Sequence, residues 1–166
     1  AQGLEPDCNG NGVPDGCDIA GGYSPDGNQD GIPDECGASF VITVDPDGGG
    51  LFSDLQAALD FAPPGSIIQV APGTYTGPFT LPSHQVSLIA DEGPGQTRLT
   101  AAEQSPTILL IQGDHDRSTI VDGFSVEDET SMLSCVVILD CSPTLRNMVF
   151  RNNLGLLGAS IRIENG

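Results

Sequence analysis

Residues 7–18 read Asp-Cys-Asn-Gly-Asn-Gly-Val-Pro-Asp-Gly-Cys-Asp, with oxygen-bearing side chains at the spacing a hard divalent cation requires. Asp7, Asn9 and Asn11 stand at loop positions 1, 3 and 5, Asp15 at 9 and Asp18 at 12. The ligands point inward and the residues between them point away. Gly12, at position 6, permits the sharp turn that brings the position-7 carbonyl of Val13 onto the ion. Asp18 is a short replacement for the usual bidentate glutamate. The pattern repeats from Asp26, with Asn28 and Asp30 as the next ligands, Gly31 at the turn, Ile32 as the carbonyl donor and Asp34 at the ninth position. Gly37 fills the twelfth position, so Glu35, Asp34, water or a residue from elsewhere has to complete this second loop. Asn-Gly and Asp-Gly make turns unaided, but turns do not demand ligand oxygens at the same four positions twice over. The expected cofactor is calcium (Ca2+).

The pair of loops resembles the duplicated calcium loops of dockerin modules and thrombospondin type 3 repeats. The likeness rests on Asp7, Asn9, Asn11, Gly12, Asp15 and Asp18, and on Asp26, Asn28, Asp30, Gly31 and Asp34. It implies Ca2+ binding and secretion. Dockerins follow each loop with a full helix that carries their partner surface. Here Asp18-Ile19-Ala20 meets Gly21-Gly22 at once, so no such helix is expected.

The rest of the chain has to position this module, and it reads as one phrase repeated. Ile67–Val70, Val86–Ile89, Ile108–Ile111, Val136–Leu139 and Ser160–Ile163 are short aliphatic runs closed by Gly, Pro, Asp or Asn. Between them lie Phe79–Leu81, Thr97–Leu99, Thr119–Val121 with Phe124–Val126, and Met148–Phe150. Recurrence at roughly 20–30 residues marks a solenoid, whose units are too short to bury an apolar face alone and must stack. The predicted fold is mainly β, a parallel β-helix in which the same strand of successive coils pairs.

Phe40–Val44 alternates as a strand, a Gly-rich loop follows, and residues 53–62 form the one expected helix, with Ser53 as cap and Leu55, Ala58, Leu59 and Ala62 on one face. Pro63-Pro64-Gly65 ends it. This order, leading into Ser66–Val70 and Pro72-Gly73-Thr74-Tyr75, resembles the opening of right-handed parallel β-helix proteins of the pectin lyase-like superfamily. The resemblance implies that the helix plugs the amino-terminal end of the coil. The expected domains are a duplicated EF-hand-like calcium module at 1–38 and a right-handed parallel β-helix at 39–166. No comparable plug is expected after the run ending at Gly166, so either the chain continues or an open edge is used.

The chain carries 23 acidic and 5 basic residues, a net charge of −18, which excludes nucleic acid as a surface ligand. No apolar stretch is long enough to span a membrane. Cys8, Cys17 and Cys36 cluster beside the acidic loops, favouring an oxidising, extracellular or cell-surface setting. Cys17–Cys36 is the leading bridge, since both stand at position 11 of their loops, with Cys8 as the odd thiol. Cys135 and Cys141 bracket a strand about 20 Å long and are not expected to pair.

Catalytic groups are harder to find. Asp114, His115, Asp116 and Arg117 share a turn, and Asp122, Glu127, Asp128 and Glu129 follow within one coil, the pattern of a solvated acidic turn. No catalytic residue is assigned. The expected function is a secreted, calcium-binding structural or adhesive protein whose β-helix assembles head to tail into filaments or a surface layer. Its partners would be further copies or another extracellular protein. The alternatives are a carbohydrate-active β-helix enzyme acting on a polysaccharide, lyase or glycoside hydrolase-like, or a fragment of one, and a dockerin-like docking module with β-helix cargo.

Overall fold

The computed structural model describes residues 7–8, 10–24, 26, 31–33, 40–102, 105–127, 135–153 and 160–164. Strand β1 (Val41–Val44) opens the ordered coil. Four turns follow: β2 (Ile67–Val70), β3 (Gly73–Thr76) and β4 (Phe79–Thr80); β5 (Ser87–Ala90), β6 (Thr97–Thr100) and β7 (Leu109–Gln112); β8 (Ile120–Asp122), β9 (Ser125–Glu127) and β10 (Val136–Leu139); β11 (Thr144–Arg146), β12 (Val149–Arg151) and β13 (Ile161–Glu164). Among the described residues the strands form three sheets, ordered β1-β2-β5-β8-β11, β3-β6-β9-β12 and β4-β7-β10-β13. Every pairing is parallel. This is a parallel β-solenoid of about four turns.

Period-2 alternation decides which residues enter the coil. In the first sheet Ile42, Ile68, Leu88 and Val121 are Cα partners on successive strands, and all are fully buried. Tyr75, Leu99 and Val126 stack likewise in the second sheet, and Phe79, Leu109 and Val136 in the third. Each large aliphatic rung contributes about 1.5–3 kcal/mol by leaving water. Register is fixed because a one-residue slip would turn the whole ladder outward.

The repeated runs do not form one series. Ile67–Val70 and Ser87–Ala90 lie in the first sheet, whereas Leu109–Gln112, Val136–Leu139 and Ile161–Glu164 lie in the third. The physical reason is that all three sheets bury the same kind of side chain, so composition does not distinguish them. The first coil is also the short one, with residues 77–78 alone between β3 and β4 against 101–108 between β6 and β7 and 128–135 between β9 and β10, which breaks the spacing.

The expected cap helix is α2 (Leu55–Phe61), with Leu55, Ala58 and Leu59 buried. Its cap is Asp54 and not Ser53: Asp54 Oδ1 accepts the Ala57 amide at 2.7 Å. Gln56 reaches the edge of the third sheet, accepting from the Thr80 amide at 2.8 Å and donating to the Thr80 carbonyl at 3.2 Å. The side-chain amide stands where a strand neighbouring β4 would. Phe61 packs on Phe40 and Phe52, with ring centroids 6.1 and 5.3 Å apart.

A second helix, α1 (Asp15–Gly21), corrects the expectation that α2 would be alone. Pro14 presets its entry, Asp15 and Asp18 favour its positive end, and Gly22 closes it in the left-handed conformation. The Gly21-Gly22 pair thus ends two turns of helix instead of preventing them. No helix among the described residues is long and apolar enough to cross a membrane.

Candidate functional site

Of the expected calcium ligands, Asp7, Asn11, Val13, Asp15, Asp18, Asp26 and Ile32 are described. Asn9, Asn28, Asp30, Asp34 and Glu35 lie outside the described residues. In the first loop the Gly12 amide donates to Asp7 Oδ2 at 3.0 Å, joining the position-6 turn to the position-1 carboxylate. The Val13 amide donates to Asn11 Oδ1 at 2.7 Å, and the Cys8 amide to Asp15 Oδ1 at 2.9 Å. Asn11 Nδ2 donates to Asp18 Oδ2 at 2.8 Å. Within one short loop these contacts tie Asp7 to Gly12, Asp15 to Cys8 and Asn11 to Asp18. Helix α1 presents Asp15 and Asp18 inward, 6 % and 1 % exposed.

The second loop repeats the first contact. The Gly31 amide donates to Asp26 Oδ2 at 3.1 Å. Gly12 and Gly31 both have positive φ, +87° and +82°, which a side chain would strain. Among the described residues no three His, Cys, Asp or Glu side chains are grouped closely enough to hold a metal by themselves. An EF-type loop draws in addition on amide and main-chain carbonyl oxygens. The donor set around Asp7 is all oxygen, which suits Ca2+ and not a thiophilic metal. Val13 and Ile32 would serve through their carbonyls, leaving their side chains outside, and these are 37 % and 43 % exposed.

The cysteine expectation is overturned. Cys17 is an exposed free thiol, and Cys8 is disulfide-bonded. Cys36 lies outside the described residues. The reason is helical: with Asp15 and Asp18 on the inner face of α1, Cys17 falls on the opposite face and points to solvent.

The acidic turns of the solenoid do not converge. His115 is buried, its Nδ1 3.0 Å from Thr119 Oγ1, and burial lowers its pKa. Asp116 is exposed and accepts from the Ser118 hydroxyl and amide at 2.6 and 2.8 Å, which lowers its pKa. Asp122 sits at a different corner, accepting from Arg146 Nε and Asn147 Nδ2, both at 2.8 Å. Glu127 lies in the second sheet, 3.4 Å from Arg98. His84 turns toward α2, its Nε2 2.8 Å from the Ala62 carbonyl. Asp128 and Glu129 lie outside the described residues. Sequence neighbours one coil apart are thus spread over separate faces.

Sequence reasoning missed a groove of about 690 Å3 at the end of the third sheet, lined by residues from three coils that include Thr80, Gln112, Asp114 and Asp140. Its residues are far apart in sequence, so only the pairing of β4, β7 and β10 could reveal it. No family model, curated protein or solved structure matches the chain, so function has to be read from the fold and the loop geometry.

Proposed function

We propose that this chain is a secreted, calcium-binding structural or adhesive protein: a duplicated calcium-loop module joined to a β-solenoid scaffold. The observation that carries the reading is the shared hydrogen bond from the position-6 glycine amide to the position-1 carboxylate, Gly12 to Asp7 and Gly31 to Asp26. Two unrelated acidic turns have no reason to share that contact, whereas two ion loops do, because it folds the chain around the cation. In the first loop Asp7, Asn9, Asn11, the Val13 carbonyl, Asp15 and Asp18 would hold the ion. In the second, Asp26, Asn28, Asp30, the Ile32 carbonyl and Asp34 would, with Glu35 or water in the last place. A right-handed winding and kinship with the pectin lyase-like superfamily belong to the same proposal. They are supported by the helix laid across the first coil and by the purely parallel pairing. Exposed Leu51 before α2 and Phe61 at its last position favour a protein partner, another copy included.

The test is calorimetry with Ca2+ on the wild type and on Asp7→Ala and Asp26→Ala. Binding with a dissociation constant on the order of 10⁻⁴–10⁻³ M is expected, weaker in the second loop, with EGTA lowering the melting temperature. No heat at millimolar Ca2+ and an unchanged melting temperature in EGTA would refute it.

Helix α1, which starts inside the first loop and runs three residues past it, favours a second reading, a dockerin-like docking module. A cohesin pull-down in Ca2+ tests it, and capture lost with EGTA is the expected signature. The carbohydrate-active alternative has no catalytic grouping among the described residues, and activity toward polygalacturonate would restore it.

A further inference from the structure

The first sheet buries one face in the coil and turns the other outward. Val41, Ile67 and Ile120 stand in one outward column, with Ser87 between the two isoleucines. Ile89 stands in the other, in register with Gln69 and Thr43. Leu51 continues that second column: Phe52 bridges Val44 in parallel, and the Leu51 amide donates to Thr43 Oγ1 at 2.9 Å. An apolar stripe thus crosses the strands from Leu51 through Val41, Ile67 and Ile89 to Ile120. Leu51 and Val41 are 61 % and 49 % exposed, and the three isoleucines are part-buried.

The residues beside the stripe add no net charge. Thr43, Gln69 and Ser87 are neutral. Asp122 and Arg146 cancel, with Arg146 Nε 2.8 Å from Asp122 Oδ2. Negative charge gathers along one edge instead. Asp45 and Asp47 follow the end of β1, and Asp91 and Glu92 follow the end of β5. Asp45, Asp47 and Asp91 all bear on the Tyr75 hydroxyl, whose pKa is pushed up to about 12 by burial first and by these carboxylates next. The opposite edge, where the strands begin, carries the uncharged Ser66, Val86 and Thr119. A matching partner is apolar in the middle and basic on one flank.

Dimensions select its form. Strands of up to four residues make the face about 13 Å wide. Strand spacings of about 4.8 Å carry the stripe roughly 19 Å from Leu51 to Ile120. A helix is about 10–12 Å across and rises about 1.5 Å per residue, so about 13 residues of helix cover it. A second copy fits less well. The footprint of about 250 Å2 falls far below the roughly 800 Å2 per partner of a stable dimer. The chain also has no lysine to offer, and its net charge of −18 repels a copy.

We propose that the outer face of the first sheet docks an amphipathic helix of a partner polypeptide, with aliphatic side chains on the stripe and lysine or arginine along the edge that Asp45 and Asp91 line. The proposal deepens the structural or adhesive reading, on which it rests for a protein partner. It does not need the loops to hold Ca2+, so calorimetry with Ca2+ and peptide binding to this face fail or succeed separately.

The experiment titrates a designed peptide of about 14 residues, with leucines at i, i+3, i+4 and i+7 and lysines on one flank, into the full chain at fixed Ca2+. Fluorescence anisotropy gives the affinity, and isoleucine methyl NMR locates the contact. Saturable binding with shifts at Ile67, Ile89 and Ile120 is expected. The double variant Ile67→Thr, Ile89→Thr keeps β-branched residues in the strands and weakens binding about tenfold or more. Ile163→Thr, exposed on the third sheet, leaves it unchanged. Asp91→Asn with Glu92→Gln, at an exposed turn, spares the strands: it weakens the lysine peptide about threefold and leaves a glutamine-flanked analogue unchanged. Equal affinity for a scrambled peptide of the same composition, or unchanged binding in the double isoleucine variant, would overturn the proposal. So would a dimer in sedimentation that the double isoleucine variant abolishes, which would give the face to a second copy.

Discussion

Replacing Gln56 by leucine tests how the first coil is closed. The helix should survive, because Leu and Gln have nearly equal helix propensity. What is lost is the pair of hydrogen bonds to Thr80, at 2.8 and 3.2 Å, which complete the edge strand β4. Each is part-buried and contributes about 0.5–1.5 kcal/mol, so the loss is about 1–3 kcal/mol. For a domain of this size that lowers the melting temperature by about 2–4 °C per kcal/mol. The third contact, Gln56 Nε2 to Asp60 Oδ1 at 2.7 Å, is exposed and spans one helical turn. Asp60→Ala, the control for it, should cost only a few tenths of a kcal/mol, about 0.2–0.5. Gln56→Glu adds a pH signature. The introduced carboxyl can still accept from the Thr80 amide, but when ionised it faces the Thr80 carbonyl and Asp60. Its folded pKa is therefore raised, the folded state holds the proton more tightly, and stability gained at low pH is lost as pH rises through that value. Urea unfolding followed by circular dichroism gives the free energies, and hydrogen exchange at the Thr80 amide reports the edge directly. A loss below about 0.3 kcal/mol in Gln56→Leu, with unchanged Thr80 exchange, would show that the amide does not cap the sheet.

Three further outcomes are expected. His115 is buried among the Pro82 and Gln112 carbonyls, with His84, Asp114 and Asp116 nearby, and burial lowers its pKa. The unfolded chain then takes the proton first, so stability falls as pH drops below about 6.5, by at most about 1.4 kcal/mol per pH unit, and His115→Gln flattens that slope in denaturant titrations. Cys17, exposed, reacts with a thiol reagent in the native protein, whereas Cys141, buried and with its pKa raised by that burial, reacts only on unfolding; mass spectrometry of labelled peptides separates them. Leu88→Ala, at a fully buried rung between Ile68 and Val121, costs about 2–5 kcal/mol by chemical unfolding.

The sequence by itself determined that this chain coils. Runs of three to five aliphatic residues closed by turn residues leave strands as the main element, and their recurrence forces stacking, as the ladders from Ile42 to Val121 and from Phe79 to Val136 bear out. It also located α2 to within two residues at its start and one at its end, because a helix is a local object whose apolar period and Pro stop are written in consecutive residues. The acidic pattern of the first loop was legible for the same reason, as Asp7, Asn11, Asp15 and Asp18 stand in one contiguous stretch.

Assignment of each run to a sheet needed the tertiary structure, since Ser87–Ala90 and Leu109–Gln112 look alike and differ only in which coil positions they reach. The dispersal of Asp122, Glu127 and His115 onto separate faces followed from that assignment. So did the convergence of Thr80, Asp114 and Asp140, which come from different coils. Helix α1 was missed because Gly21-Gly22 serves equally as a breaker or as a cap. The φ of +70° at Gly22, set by its amide reaching back to the Ile19 carbonyl at 3.1 Å, decided for the cap. Likewise Cys17 and Cys36 share a loop position in sequence, but the helical turn that buries Asp15 and Asp18 carries Cys17 away from any partner, a direction in space that spacing along the chain does not encode.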